Sequence, residues 1–86
     1  MPEICRFFGI VVTMLYRDHE PPHFHVRYGG RRARFALGPV RRLSGDLPPR
    51  VIGMIVEWAA LHEQELSEDW ELARRGLQPK RIEPLE

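Results

Sequence analysis

From Ile4 to Tyr16 the chain is almost continuously apolar and rich in β-branched and aromatic side chains, with Gly9 placed to bend it. A run of this kind is a strand signature, and the glycine divides it into a short strand and a longer one. Asp18 to Pro22 reads as a turn, because a double proline cannot continue a hydrogen-bonded ladder. Beyond it Phe24, Val26 and Tyr28 alternate with His23, His25 and Arg27, the period of a strand with one buried face. Gly29-Gly30 is a two-residue hairpin signal. The return strand, Arg31 to Leu37, sets Ala33, Phe35 and Leu37 on one face and Arg32 and Arg34 on the other, and Gly38-Pro39 ends it. Val40 to Leu43 can add a short edge strand.

The period then changes. Pro48-Pro49 stands just before a run in which Val51, Ile55, Trp58, His62, Leu66 and Trp70 fall near one stripe. Proline suits the first turn of a helix, where its fixed φ fits and its missing N–H is not needed. Gly76 is placed to cap the far end. A helix from Pro48 to Arg75 has a length of about 40 Å, long for so small a domain, so a kink near Ser67 is expected, with the serine capping a second segment. Ile82 sits between Pro79 and Pro84 in the tail and Leu85 just beyond them, and the tail is expected to pack as a last extended segment. The pattern predicts a single α+β domain over residues 1–86: an antiparallel sheet of three to four strands packed on one long, kinked C-terminal helix.

Placing Gly29-Gly30 at the turn fixes a register. Tyr28 falls opposite Arg31, Arg27 opposite Arg32, Val26 opposite Ala33, His25 opposite Arg34 and Phe24 opposite Phe35. Every apolar pair lands on one face and every cationic pair on the other. Like charges directly opposed in a sheet cost a few tenths to about 1 kcal/mol, and this hairpin carries no acid to relieve them. Arg27, Arg32 and Arg34 are therefore candidate anion or nucleic-acid contacts. The competing readings are a solvated, aggregation-blunting edge and neutralisation by the acidic helix in a homodimer. The leftover apolar residues Val11 and Leu15 on that side suggest cover by the tail or by a second subunit.

Composition sharpens this picture in two ways. The formal net charge is +1, but eight arginines and only three acids lie between Arg17 and Arg50, whereas Glu57 to Glu71 holds six acids and no Lys or Arg. Lys80 is the sole lysine, and the guanidinium fork suits phosphate and carboxylate recognition better than an ammonium does; a GC-rich coding sequence accounts for the same bias without function. Cys5 is the only cysteine, which rules out an intramolecular disulfide, fits a reducing cytoplasm and reads as a small buried hydrophobe. No signal peptide or membrane-spanning run is apparent.

The chemistry is concentrated in Asp18-His19-Glu20-Pro21-Pro22-His23-Phe24-His25-Val26, which holds three of the four histidines. His23 and His25, two apart on a strand, point the same way, and His19 can fold back across the turn. That set could bind zinc or another borderline metal, with Asp18 and Glu20 as ligands or supporting acceptors. The arginines on the same face oppose a metal, so a reading without any cofactor stands beside it. In that reading His23 and His25 are the candidate acid–base groups and the arginines hold phosphate, the layout of a small ribonuclease. His62, on the helix stripe, reads as a buried hydrogen-bonded histidine, and Trp58 and Trp70 as core.

The set Asp18-His19-x-Pro21-Pro22-His23-Phe24-His25-Val26, Leu47-Pro48-Pro49-Arg50, Glu57-Trp58-Ala59-x-Leu61-His62, Trp70-Glu71-Leu72-Ala73 and Ile82-Glu83-Pro84-Leu85 resembles a small bacterial family catalogued as a domain of unknown function, number 4160. The resemblance covers essentially the whole chain. It implies single-domain bacterial proteins, often encoded beside another short protein in an arrangement suggestive of toxin–antitoxin pairs. It brings no catalytic residues, and many relatives carry fewer arginines after the Gly-Gly turn. The leading expectation is a cytoplasmic protein of toxin–antitoxin type that interacts with RNA or DNA through Arg27, Arg32 and Arg34. The alternatives are a metal-dependent enzyme using His19, His23 and His25, and a protein-interaction module whose partner is the adjacently encoded protein.

Overall fold

The computed structural model describes residues 2–86. Five antiparallel strands form a sheet in simple meander order: β1 (Glu3–Phe7), β2 (Ile10–Thr13), β3 (His23–Tyr28), β4 (Arg31–Ala36) and β5 (Arg41–Gly45). Two helices follow, α1 (Pro49–Leu61) and α2 (Glu63–Arg74). The class is α+β as expected, but the sheet has five strands, not three or four, and the helical segment is two helices, not one.

At the division expected at Gly9 the chain reverses tightly, with Phe8 and Gly9 both taking positive φ, 49° and 80°. Two consecutive residues of that kind make the tight hairpin turn whose twist matches a sheet. The apolar run therefore folds back on itself, with Phe7 opposite Ile10 and Arg6 opposite Val11. At the other edge, the segment after Gly38-Pro39 forms a full strand, pairing Ala36 with Arg41 and Arg34 with Ser44. The central hairpin has the register expected from Gly29-Gly30: Tyr28 with Arg31, Arg27 with Arg32, Val26 with Ala33, His25 with Arg34 and Phe24 with Phe35.

The helical segment divides at His62. There the backbone leaves helical geometry (φ −125°, ψ 28°), five residues before Ser67. The His62 N–H closes a tighter bond to the Ala59 carbonyl, and the His62 carbonyl accepts from Leu66 N–H, so α2 starts on the residue that ends α1. Glu65, in the first turn of α2, accepts a hydrogen bond from His62 Nδ1. The break does not disturb the apolar stripe: Val51, Ile55, Trp58 and Ala59 are buried on α1, and Leu66, Asp69, Trp70 and Ala73 on α2.

The helices cover one face of the sheet. Trp58 lies at the centre, fully buried, edge-on to Phe24 (centroids 6.0 Å apart) and against Phe7 (5.7 Å), while Phe24 stacks on Phe35 at 5.6 Å. Cys5 is buried in the same core. Such aromatic pairs add to the stabilisation from burial alone. At the end of α2, Gly76 N–H donates to the Ala73 carbonyl and Leu77 N–H to the Leu72 carbonyl, the two bonds of a Schellman cap. The tail runs extended beside β1. Ile82 N–H donates to the Ile4 carbonyl at 2.8 Å, and Trp58 Nε1 donates to the Glu83 carbonyl at 2.8 Å. Among the described residues no helix is long and apolar enough to cross a membrane.

Candidate functional site

The sheet face turned away from the helices carries the polar side of the strand alternation. Pairing of β2 with β3 puts Val11 beside Arg27 and Thr13 beside His25. Pairing of β3 with β4 adds Arg32 opposite Arg27 and Arg34 opposite His25. β5 contributes Ser44, whose Oγ accepts from Arg34 Nε at 2.9 Å. Thr13, His25, Arg27, Arg32, Arg34 and Ser44 line an open groove of about 310 Å³ together with Leu15. Arg27 and Arg32 are exposed and Arg34 half-buried. Among the described residues none of the three pairs with a carboxylate, although Glu3, Asp46 and Glu71 each pair with another arginine. Thr13 and Ser44 were not legible as groove residues in the sequence, because each is placed there by strand pairing.

The histidines part company at the end of this groove. His25 remains in the groove wall. His23 is 1% exposed, packed beneath Trp70 with ring centroids 5.3 Å apart, so of the two expected acid–base histidines only His25 faces the groove. His19 is exposed, its Nδ1 3.2 Å from the Glu20 carbonyl. The group that joins His23 and His25 is Asp18. Its Oδ2 lies 3.0 Å from His23 Nε2 and 3.1 Å from His25 Nε2, and its Oδ1 accepts from the His19 backbone N–H at 2.9 Å. His23 Nδ1 donates to the Pro21 carbonyl at 2.6 Å. The triad brought together is Asp18, His23 and His25, with one donor atom from each within 4.8 Å of the others; His19 stands beside it, its Nε2 3.9 Å from Asp18 Oδ1.

Local backbone explains why the loop reaches back. Arg17 adopts positive φ (51°), and its N–H donates to the Ala73 carbonyl at 2.9 Å, which fastens the start of the loop to the end of α2. Asp18 then turns over the first residues of β3. Burial alone would raise its pKa, but the His25 hydrogen bond, the His19 N–H and the neighbouring imidazoles outweigh it and hold the carboxyl below its ordinary value. Asp18 is thus a carboxylate at neutral pH, and it supplies the acid that the hairpin itself lacks next to His25.

The sequence profile of the family described as "Domain of unknown function (DUF4160)" matches residues 9–71, and the chain belongs to that family. No curated protein and no solved structure matches the chain.

Proposed function

We propose that the arginine face of the sheet binds the phosphodiester backbone of single-stranded nucleic acid, RNA first, in the toxin–antitoxin setting implied by the family resemblance. The observation that carries this reading is the rung formed by Arg27 and Arg32, two guanidiniums held opposite each other with no carboxylate to neutralise them. Such an arrangement costs stability in the free protein and is relieved when a polyanion arrives. Arg34 and Ser44 on one side, and Thr13 and His25 on the other, extend the same surface with hydrogen-bonding groups. The groove presents no Phe, Tyr or Trp ring among the described residues lining it, so binding is to phosphate rather than by base stacking and is tolerant of sequence.

The test is fluorescence anisotropy of a labelled single-stranded oligoribonucleotide at several salt concentrations. Three phosphate contacts on a single strand predict a log–log salt slope of about −2. Absence of binding at low salt, or binding indifferent to salt, contradicts the reading.

A further inference from the structure

We propose that Asp18, His23 and His25 form a binding site for a divalent first-row transition metal ion of the zinc type. The inference does not depend on the nucleic-acid reading, since it uses the buried end of the cluster and none of the arginines.

The argument starts from the hydrogen bonding of His23. Its Nδ1 lies 2.6 Å from the Pro21 carbonyl oxygen. A carbonyl only accepts, so Nδ1 carries the proton. In the neutral ring the other nitrogen, Nε2, then bears a lone pair. That lone pair is buried, has no hydrogen-bond partner among the described residues, and lies 3.0 Å from a carboxylate oxygen of Asp18. Two lone-pair atoms in such proximity repel unless a proton or a metal ion lies between them, and a buried polar atom without a partner destabilises the fold. A metal ion satisfies both atoms at once.

The rest of the arrangement fits the same ion. His25 Nε2, once the metal displaces the proton it shares with Asp18, adds a second imidazole donor 3.1 Å from the same Asp18 oxygen. A tetrahedral zinc with ligand bonds of about 2.0–2.1 Å needs donor atoms roughly 3.3 Å apart, so each imidazole nitrogen must move away from the Asp18 oxygen by only tenths of an ångström, and all three donors already lie within 4.8 Å of one another. A ring nitrogen bound to a backbone carbonyl is the usual support for a metal-ligating histidine, because it fixes the tautomer and the ring plane. Asp18 Oδ1 is held by the His19 N–H, which leaves Oδ2 for the ion. Repulsion from Arg34, opposite His25, is reduced because its Nε is drawn toward Ser44 on the neighbouring strand β5. Two imidazoles and one carboxylate select zinc, cobalt or ferrous iron over magnesium or calcium, which prefer oxygen donors alone. Three protein ligands leave a coordination position for an exogenous water or anion, and His25 links the site to the groove.

The experiment is titration of untagged, metal-stripped full-length protein with Co²⁺ followed by displacement with Zn²⁺, read by visible absorption and calorimetry. One Co²⁺ per chain with the intense visible bands of a low-coordinate site, displaced by zinc, is expected. Asp18→Asn and His25→Ala should each weaken binding by roughly 100-fold or more, whereas His19→Ala should leave it within a few-fold. The same titration on wild-type protein, followed by ring ¹⁵N shifts, should move the Nε2 signals of His23 and His25 and leave Nδ1 protonated in His23. No stoichiometric binding, binding that survives both Asp18→Asn and His25→Ala, binding lost in His19→Ala alone, or unshifted Nε2 signals would overturn the proposal.

Discussion

The indole of Trp70 lies over the imidazole of His23 with ring centroids 5.3 Å apart, so the buried end of the histidine cluster is closed by helix α2 and not by the sheet that carries it. Trp70→Ala removes a large core side chain and its cover over His23. A loss of about 3–5 kcal/mol in urea or guanidinium unfolding is expected. In the fraction that remains folded, His23 should become reactive toward an imidazole-modifying reagent that spares it in the wild type. Trp70→Phe keeps an aromatic cover and should cost less.

Trp58 holds the tail as well as the core, through Nε1 donating to the Glu83 carbonyl. Trp58→Phe preserves most of the apolar volume but removes this bond. A loss of roughly 1 kcal/mol from the hydrogen bond, plus a packing contribution of similar size, is expected. Amide exchange at Ile82, whose N–H is bonded to Ile4, should accelerate.

Gly76 closes α2 at φ +77°, and a Cβ placed there would meet the Arg17 guanidinium at 2.5 Å. Gly76→Ala should cost about 1–2 kcal/mol from the strained φ and the displaced arginine. Adding Arg17→Ala should recover only the part due to crowding. The measurement is a double-mutant cycle in denaturant unfolding.

Two carboxyls give pH effects of opposite sign. Glu3, hydrogen-bonded to Arg6 and reached by Arg81 from the tail, is held down at about 2 from its ordinary 4.5. Its contribution is present above the unfolded value and is lost as pH falls from 4.5 towards 2. Asp69 is pushed up, chiefly by burial, with Glu65 and Glu68 adding to the shift and the Lys80 N–H and charge opposing it. The folded state therefore binds the Asp69 proton more tightly than the unfolded chain does, and stability falls as pH rises from about 4 through the raised value. Unfolding measured across acid pH should show that decline in the wild type and its absence in Asp69→Asn. Glu3→Gln should remove the loss at the lowest pH.

Much of the fold was legible because local chemistry and global pattern agree. The register of β3 and β4 followed from one glycine pair and was confirmed rung by rung. Pro49 at the start of α1 and Gly76 at the end of α2 were equally readable. Gly9 marked the division of the first apolar run, but the tight reversal there was not readable, because Phe8 occupies a conformation that side chains seldom adopt, and nothing in its type announces that. The break at His62 was hidden because His62 itself continues the apolar stripe from Trp58 to Leu66, so the spacing reads as one helix. At the site, strand alternation put His25, Arg27, Arg32 and Arg34 on one face. The motif offered Asp18 as a ligand or supporting acceptor for the histidines, but alternation alone does not fold it onto His23 and His25, where the loop is fastened by the positive-φ Arg17 and its bond to Ala73.

On the function proposed above, the unneutralised guanidiniums of Arg27 and Arg32 bind a polyanion. The most direct measurement is the salt dependence of oligoribonucleotide binding for wild type, Arg27→Ala, Arg32→Ala and the exposed control Arg50→Ala. Each groove variant should bind more weakly at low salt and flatten the log–log slope by about 0.7, the share of one phosphate on a single strand, with Arg50→Ala unchanged. Equal affinity and equal slope across all four proteins would contradict the account.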